Sequence, residues 1–180
     1  MKILKPKFWE KNNSLISLLL QPISFFLQLL ILIKKRFTSK HSFKIPIICI
    51  GNIYLGGTGK TPTVLKLYEL LKNSNLKIVT AKKFYINQKD EQLILEKQTE
   101  FISLKTRQEI IESAIEQKFD LIIFDDGLQE KTVNYDLKFV CFDIQNWIGN
   151  GCLIPSGPLR EKVESLKKYD GVFLKSINKD

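Results

Sequence analysis

The sequence predicts an α/β fold, a mostly parallel sheet flanked by helices, on three observations. Apolar runs of strand length alternate with stretches of helical period between Lys44 and Lys175. Three of the runs end in Gly or Asp followed by loop residues, as strands do where ligands bind at their carboxyl ends. A glycine-rich loop joins the first strand to the first helix of the series.

Taken in order, KIPIICIGN (Lys44 to Asn52) is a short β-branched run that reads as a buried strand. KTPTVLKLYELLKNSN reads as a helix with a broad apolar face (Val64, Leu65, Leu67, Tyr68, Leu70, Leu71) and Pro62 tolerated in its first turn. LKIVTA is the second strand, a helical stretch covers Asp90 to Gln98, and FISL is a brief third apolar run. TRQEIIESAIEQK has helical period and leads into the strand FDLIIFDDG. LKFVCFD and DGVFLK are further strands, separated by a Gly/Pro-rich loop and the helical REKVESLKKY.

A chain of 180 residues can bury the core of one domain. Its three cysteines lack metal-ligand spacing, and Cys49 and Cys141 lie in apolar runs, which predicts buried reduced thiols. The net charge of +9 is concentrated in residues 1–44, where nine basic residues face Glu10 alone. These bases bracket SLISLLLQPISFFLQLLILI (Ser14 to Ile33), which has no charged residue. As a helix it would reach about 30 Å, the thickness of a bilayer core. Pro22, Gln21 and Gln28 make a kinked or shallow membrane helix as plausible as a clean span. A buried core helix is the bland alternative. Lys34, Lys35 and Arg36, placed just after the segment, favour a cytoplasmic position for the downstream part, beside anionic lipid. The expected organisation is a membrane-anchoring segment, 1–44, and a core domain, 45–180. A nucleic-acid partner is not expected, because the basic residues form no stripe on the core.

The stretch NIYLGGTGKTPT departs from the phosphate-loop pattern G-x-x-x-x-G-K-[ST] at its first position, where Tyr54 stands. Gly56, Gly57 and Gly59 still allow a tight curl and close approach to phosphates. In such a loop Lys60 reaches the β/γ-phosphates and the Thr61 hydroxyl ligates magnesium. An apolar strand precedes the motif and a helix follows it, as the mechanism requires. The predicted fold class is therefore P-loop NTPase-like, with an N-terminal apolar membrane helix. LIIFDDG supplies the matching strand that ends in aspartate, with Asp125 on the metal side and Asp126 a neighbour of catalytic or supporting role. In isolation, either motif reads as a plain glycine or Asp-Gly turn.

Read together, PxFW near the N-terminus, the apolar segment, IGNIYLGGTGKTP, FDDGLQ and GNGCLIPSGPLRE resemble the tetraacyldisaccharide 4'-kinase family, the lipid A kinases. The resemblance runs from Pro6 to about Lys175. It implies ATP and Mg²⁺ as cofactors and a lipid A disaccharide precursor as acceptor, phosphorylated on its 4'-hydroxyl at the cytoplasmic face of the inner membrane. It implies an ATP loop of Tyr54, Leu55, Gly56, Gly57, Thr58, Gly59, Lys60 and Thr61, with Thr61 and Asp125 on the metal. Asp90, in KDEQ, matches a catalytic aspartate that would deprotonate the sugar hydroxyl, and Asp126, Arg160 and Glu161 complete the catalytic set. Arg160 suits developing phosphoryl charge. For Asp90 and for the Arg160–Glu161 pair, ordinary charge at a helix start is the competing reading.

The chain departs from the family in three places. Ala81-Lys82-Lys83-Phe84-Tyr85 stands where Ser-Arg-Gly-Tyr-Gly is usual, which keeps a cation but loses both glycines. Glu130 replaces the histidine of DDGLQH. The family's second α/β domain, with its catalytic histidine, has no counterpart before Asp180, and His41 matches nothing catalytic. A fragment, a half that needs a complementary C-terminal chain, and a reduced enzyme all fit. Two other classes stay open: a membrane-associated P-loop switch ATPase, against which Leu55 stands where a lysine would be expected, and a catalytically weak nucleotide- or lipid-binding remnant.

Overall fold

The computed structural model describes residues 5–12, 14–86 and 89–176. Six strands form one parallel sheet: β1 (Ile47–Gly51), β2 (Ile78–Ala81), β3 (Phe101–Ile102), β4 (Leu121–Asp125), β5 (Leu137–Asp143) and β6 (Gly171–Lys175), in the spatial order β3-β2-β4-β1-β5-β6. The helices are α1 (Leu15–Arg36), α2 (Lys60–Leu71), α3 (Lys89–Gln98) and α4 (Arg107–Glu116). Because β1 lies between β4 and β5, the chain turns away from it in both directions, and a crevice opens at the carboxyl ends of the strands.

The central strands are apolar throughout because both faces are covered. Ile47 and Cys49 of β1 and Ile122 and Phe124 of β4 pack under α4, with Ile110, Ile111 and Ala114. Ile48, Ile50, Ile78 and Ile123 point the other way, onto Val64 of α2 and Leu95 of α3. Helix α4 starts on a reciprocal capping box between Thr106 and Glu109, which satisfies two otherwise orphaned amides. Cys49 and Cys141 are buried and unbridged, and burial pushes both thiols up.

The REKVESLKKY stretch is helical only as a six-residue 3-10 turn, Val163–Lys168. Its neighbours are engaged elsewhere. The Arg160 amide donates to the Ile53 carbonyl at 2.7 Å, and the Tyr169 hydroxyl donates to Glu161 at 2.9 Å. A period of three also puts Leu166 and Tyr169 on one side, against Ile53, Val140 and Phe142.

Helix α1 is continuous through Pro22 and its apolar span, Leu15–Lys34, has a mean hydropathy of 2.2. Its pattern is the reverse of a soluble helix. Ser17 and Ser24 are the buried positions, whereas Leu15, Leu18, Leu19, Phe25, Phe26 and Leu30 are exposed. The serines face the Gly/Pro-rich loop after β5: Ser17 Oγ donates to the Ser156 carbonyl (2.7 Å) and Ser24 Oγ to the Leu153 carbonyl (3.0 Å). Further along, the Ile31 carbonyl accepts from Lys131 Nζ at 3.0 Å. Contacts at residues 17, 24 and 31 recur every seven residues, so α1 lies along the core over about four turns. Upstream, Trp9 is buried, its indole donates to the Pro155 carbonyl and its own carbonyl accepts from the Asn150 amide. Residues 9, 17, 24 and 31 thus all bond to residues of the 131–156 region. His41 is exposed, and its backbone pairs with Thr132 and Asn134.

Asn150 ties these pieces together, since its Nδ2 donates to Ser17 Oγ (3.0 Å) and to the Ser156 carbonyl (3.1 Å) while its Oδ1 accepts from the Cys152 amide (3.1 Å). Asn150→Ala is expected to destabilise the protein by about 1–3 kcal/mol, the cost of leaving buried partners unpaired. In detergent micelles, hydrogen exchange of residues 14–24 should rise more than that of β1 and β4. Equal change in both regions would count against Asn150 as the tether of α1.

Candidate nucleotide site

The glycine loop closes over the end of β1 without needing glycine at Tyr54. Residues 53–55 run antiparallel to 158–160: Tyr54 bridges Leu159, and the Leu55 amide donates to the Pro158 carbonyl at 2.8 Å. Tyr54 is buried in this pairing, with the Lys5 ammonium 4.8 Å above its ring. The left-handed turns fall later, at Gly56 (φ +144°) and Gly59 (φ +83°). Asn52 clamps the loop from beneath, its side-chain amide donating to the Gly56 carbonyl and to Thr58 Oγ1, both at 3.1 Å. Gly59 is the N-cap of α2 with no side-chain cap, and the first turn of α2 carries no acidic residue. Open amides and an uncompensated positive helix end are what an anion requires. Leu55, Gly56 and Gly57 form the outer wall of the loop, and Thr58 is turned inward.

The carboxylates arrive from β4. Asp125 is completely buried, and its Oδ2 accepts from Thr61 Oγ1 (2.8 Å) and from Lys82 Nζ (2.9 Å). Its Oδ1 is buried without a hydrogen-bond partner. Asp126 follows in a left-handed conformation, φ +65°, which aims its carboxylate at two cations: Lys60 Nζ at 3.9 Å and Arg160 Nη1 at 3.7 Å. The Asp126 carbonyl is held by Arg107 Nη2 at 2.6 Å, and Arg107 pairs with Glu130 at 3.0 Å. Burial tends to raise the Glu130 carboxyl, but hydrogen bonds from Lys131 and Thr132, with the Arg107 charge, hold it below the usual glutamate value.

Gln129 joins the two halves of the crevice. Its amide donates to the Asn52 carbonyl (2.9 Å) and to Glu161 (3.4 Å), and its oxygen accepts from Arg160 (3.1 Å). Glu161 also accepts from Tyr169, whose phenol is pushed up by burial and by the Glu161 charge and so stays a proton donor. Thus Lys60, Thr61, Asp125, Asp126, Arg160 and Glu161 meet in one crevice. Asp90 does not enter this network. It is exposed in the first turn of α3, and the neighbouring Glu91 is the residue that pairs with Lys82. Burial would push the Lys82 ammonium down, but Asp125 and Glu91 outweigh it and hold its pKa above the usual lysine value.

Asn52, Gln129 and Arg107 were not singled out by sequence reasoning, and Lys82 was noted only as a cation kept where the family has Ser-Arg-Gly-Tyr-Gly. A signal existed for Lys82: it continues the β2 face of Ile78 and Thr80, the side on which α2 packs. For the other three, the contacts depend on tertiary pairing that no local pattern displays.

A divalent cation fits this site. The orphaned Asp125 Oδ1 is a buried acceptor awaiting a ligand, and the Thr61 hydroxyl lies on the same carboxylate. Among the described residues no group of three or more His, Cys, Asp or Glu side chains forms a cage. That suits magnesium, which is held by one or two protein oxygens with substrate phosphates and water.

The family model described as Tetraacyldisaccharide-1-P 4'-kinase matches residues 16–89 and 78–180. The chain belongs to this family. A tetraacyldisaccharide 4'-kinase of Pelagibacter ubique (strain HTCC1062) is 49% identical over 175 residues, 97% of this chain and 55% of that protein. The Rickettsia bellii (strain OSU 85-389) protein of the same name is 37% identical, covering 99% of this chain and 60% of that protein. The fold is similar to a crystal structure of LpxK from Aquifex aeolicus in complex with ATP, with a TM-score of 0.71 at 23% identity, over 88% of this chain and 56% of that one. The chain spans a little over half the length of the relatives it matches.

Lys60→Ala is expected to weaken ATP binding about tenfold to a hundredfold, the worth of one charged hydrogen bond, measured by calorimetry. The unfolding midpoint should barely move, since the side chain forfeits only a 3.9 Å contact. Unchanged ATP affinity would remove Lys60 from the site.

Proposed function

We propose that this chain is the nucleotide-binding part of an ATP-dependent kinase that phosphorylates the 4'-hydroxyl of a tetraacyldisaccharide 1-phosphate in lipid A biosynthesis. The observation that carries the reading is the meeting of the Lys60–Thr61 loop, the Asp125–Asp126 pair and Arg160 in one crevice, in a chain of this family. The amides of the loop and the start of α2 bind the triphosphate, and Lys60 and Arg160 turn from Asp126 to the phosphoryl oxygens. Magnesium, when bound through Thr61 and Asp125, supplies neutralisation of the charge shared by the β- and γ-phosphates. Asp90 is the proposed base. It takes the proton of the 4'-hydroxyl as the sugar oxygen bonds to the γ-phosphorus and the bond to ADP breaks. Glu161, braced by Tyr169 and Gln129, keeps Arg160 in place.

The proposed site of action is the cytoplasmic face of the inner membrane, with residues 1–44 as the lipid-docking segment and 45–180 as the catalytic core. The inverted face of α1 supports interfacial docking over a span, because a helix tied to the core at residues 17, 24 and 31 offers lipid only its outer side. The relatives' additional length is the proposed source of the groups that close over the acceptor, whether continuous with this chain or supplied as a complementary one.

The test is ATP turnover by the purified chain, with and without the lipid A disaccharide precursor in mixed micelles. Lipid-dependent ADP release with a 4'-phosphorylated product is expected, faster when the C-terminal half of a relative is added. ATP hydrolysis indifferent to the lipid would favour a switch ATPase. A second test concerns docking: Leu19→Glu with Phe26→Glu should lower binding to anionic vesicles about a hundredfold or more, since each apolar side chain contributes about 1.5–3 kcal/mol. Both side chains are exposed, so folding should be unaffected. Flotation of the double variant like the wild type would overturn the docking surface.

A further inference from the structure

Lys82 has an unusual environment for a lysine. Its side chain is 1% exposed, and its ammonium lies between the fully buried Asp125 and the half-exposed Glu91. Register explains the first contact. Ala81 of β2 is opposite Phe124 of β4, so Lys82 and Asp125 are opposite one another on the α2 side of the sheet. The Lys82 amide also donates to the Ile102 carbonyl, which prolongs the sheet pairing and leaves the stem little freedom. The second contact reaches a different element, since Glu91 is in the first turn of α3, next to Asp90.

A buried ion pair seldom adds net stability over an apolar filling, so stability alone does not account for this arrangement. The state of Asp125 does. Thr61 and Lys82 both bond Oδ2, whereas Oδ1 is buried and unpartnered. One carboxylate oxygen is saturated and the other is left for a ligand.

We propose that Lys82 is a positioning residue of the phosphoryl-transfer site: it fixes Asp125 through Oδ2 so that Oδ1 alone faces the metal, and through Glu91 it sets the start of α3 against that carboxylate. The inference rests on the nucleotide-site reading above. Its consequence is electrostatic as well as geometric. Without the ammonium, Asp125 and Glu91 would present two uncompensated negative charges to a triphosphate. Metal-free ATP would then be repelled, and magnesium, no longer facing a fixed cation, would be drawn in more strongly. Lys82 would thus set how far nucleotide binding depends on magnesium.

The experiment measures the dissociation constant of a fluorescent ATP analogue with and without saturating Mg²⁺, in the full chain and in Lys82→Met, Lys82→Gln and Lys82→Arg. The ratio of the metal-free to the metal-loaded constant should rise about tenfold or more in Lys82→Met, from the loss of a unit charge at short range. Lys82→Gln, which keeps a donor but not the charge, should show the same rise, and Lys82→Arg should stay within about threefold of wild type. Simple loosening of the fold would weaken both constants together and leave the ratio unmoved, as would a purely structural role. An unchanged ratio in both neutral variants overturns the proposal. Hydrogen exchange checks the second contact: Glu91→Gln should speed exchange in residues 89–98, and protection equal to wild type there overturns the coupling to α3. A wild-type chain that binds no ATP at either magnesium level would instead remove the nucleotide-site reading itself.

Discussion

A fully buried carboxylate at the centre of a parallel sheet is the constraint around which the rest of this structure is arranged. Removing such an ion from water costs several kcal/mol even after relaxation, and only close, well-aimed partners offset it. Asp125 finds them in Thr61, which requires α2 to begin directly above β4, and in Lys82, which requires β2 to lie beside β4 in register. The glycine loop follows from the first requirement. The chain leaves β1, rises over the sheet and enters a helix within a few residues, and left-handed turns at Gly56 and Gly59 make that path available. The order β2-β4-β1 is thus the order the carboxylate needs.

The loop before β6 couples this centre to helix α1. Residues 158–160 pair with 53–55 at the glycine loop, while residues 150–156 hold Trp9 and the serines of α1. Arg160 therefore sits on a strip of backbone with one end hydrogen-bonded to the P-loop and the other to the apolar helix. Small polar residues suit that helix contact. They give α1 hydrogen-bonded attachment to the core and leave its leucines and phenylalanines outward, the opposite of what a water-facing helix would favour.

Much of the fold was legible because buried parallel strands announce themselves as short apolar runs, and the GKT and DDG motifs mark the ends that carry chemistry. What escaped has a common physical origin. The tolerance of Tyr54 depends on a bridge to Leu159, more than a hundred residues away. The choice of Lys82 over Lys83 depends on pleat parity, readable once β2 is placed. Glu91, not Asp90, enters the charge network because of how α3 lies against β2, which the charge of a first helical turn does not encode. The stretch from Arg160 has helical composition, yet a long-range bond from the Arg160 amide to Ile53 and a local one from Tyr169 to Glu161 accompany its shortening to a 3-10 turn. The bonds from Ser17 and Ser24 to residues 153–156 come from serines at period seven, easily overlooked in a greasy run.

Distances within the crevice separate the contacts that endure from those that exchange. Lys60, Lys82 and Arg160 face Asp125, Asp126 and Glu91, so each of these charges has an opposite one beside it. A charge-assisted bond at its optimum is about 2.7–2.9 Å long. Lys82 meets Asp125 at 2.9 Å, whereas Lys60 and Arg160 stand 3.9 and 3.7 Å from Asp126. The loose pair would sacrifice little if phosphate oxygens took over the two cations, and Asp126 would then be released beside them. The tight pair would lose far more, because Asp125 has no access to water to replace its partner. A site of this design can admit a polyanion by exchanging its outer contacts while its innermost carboxylate keeps its position.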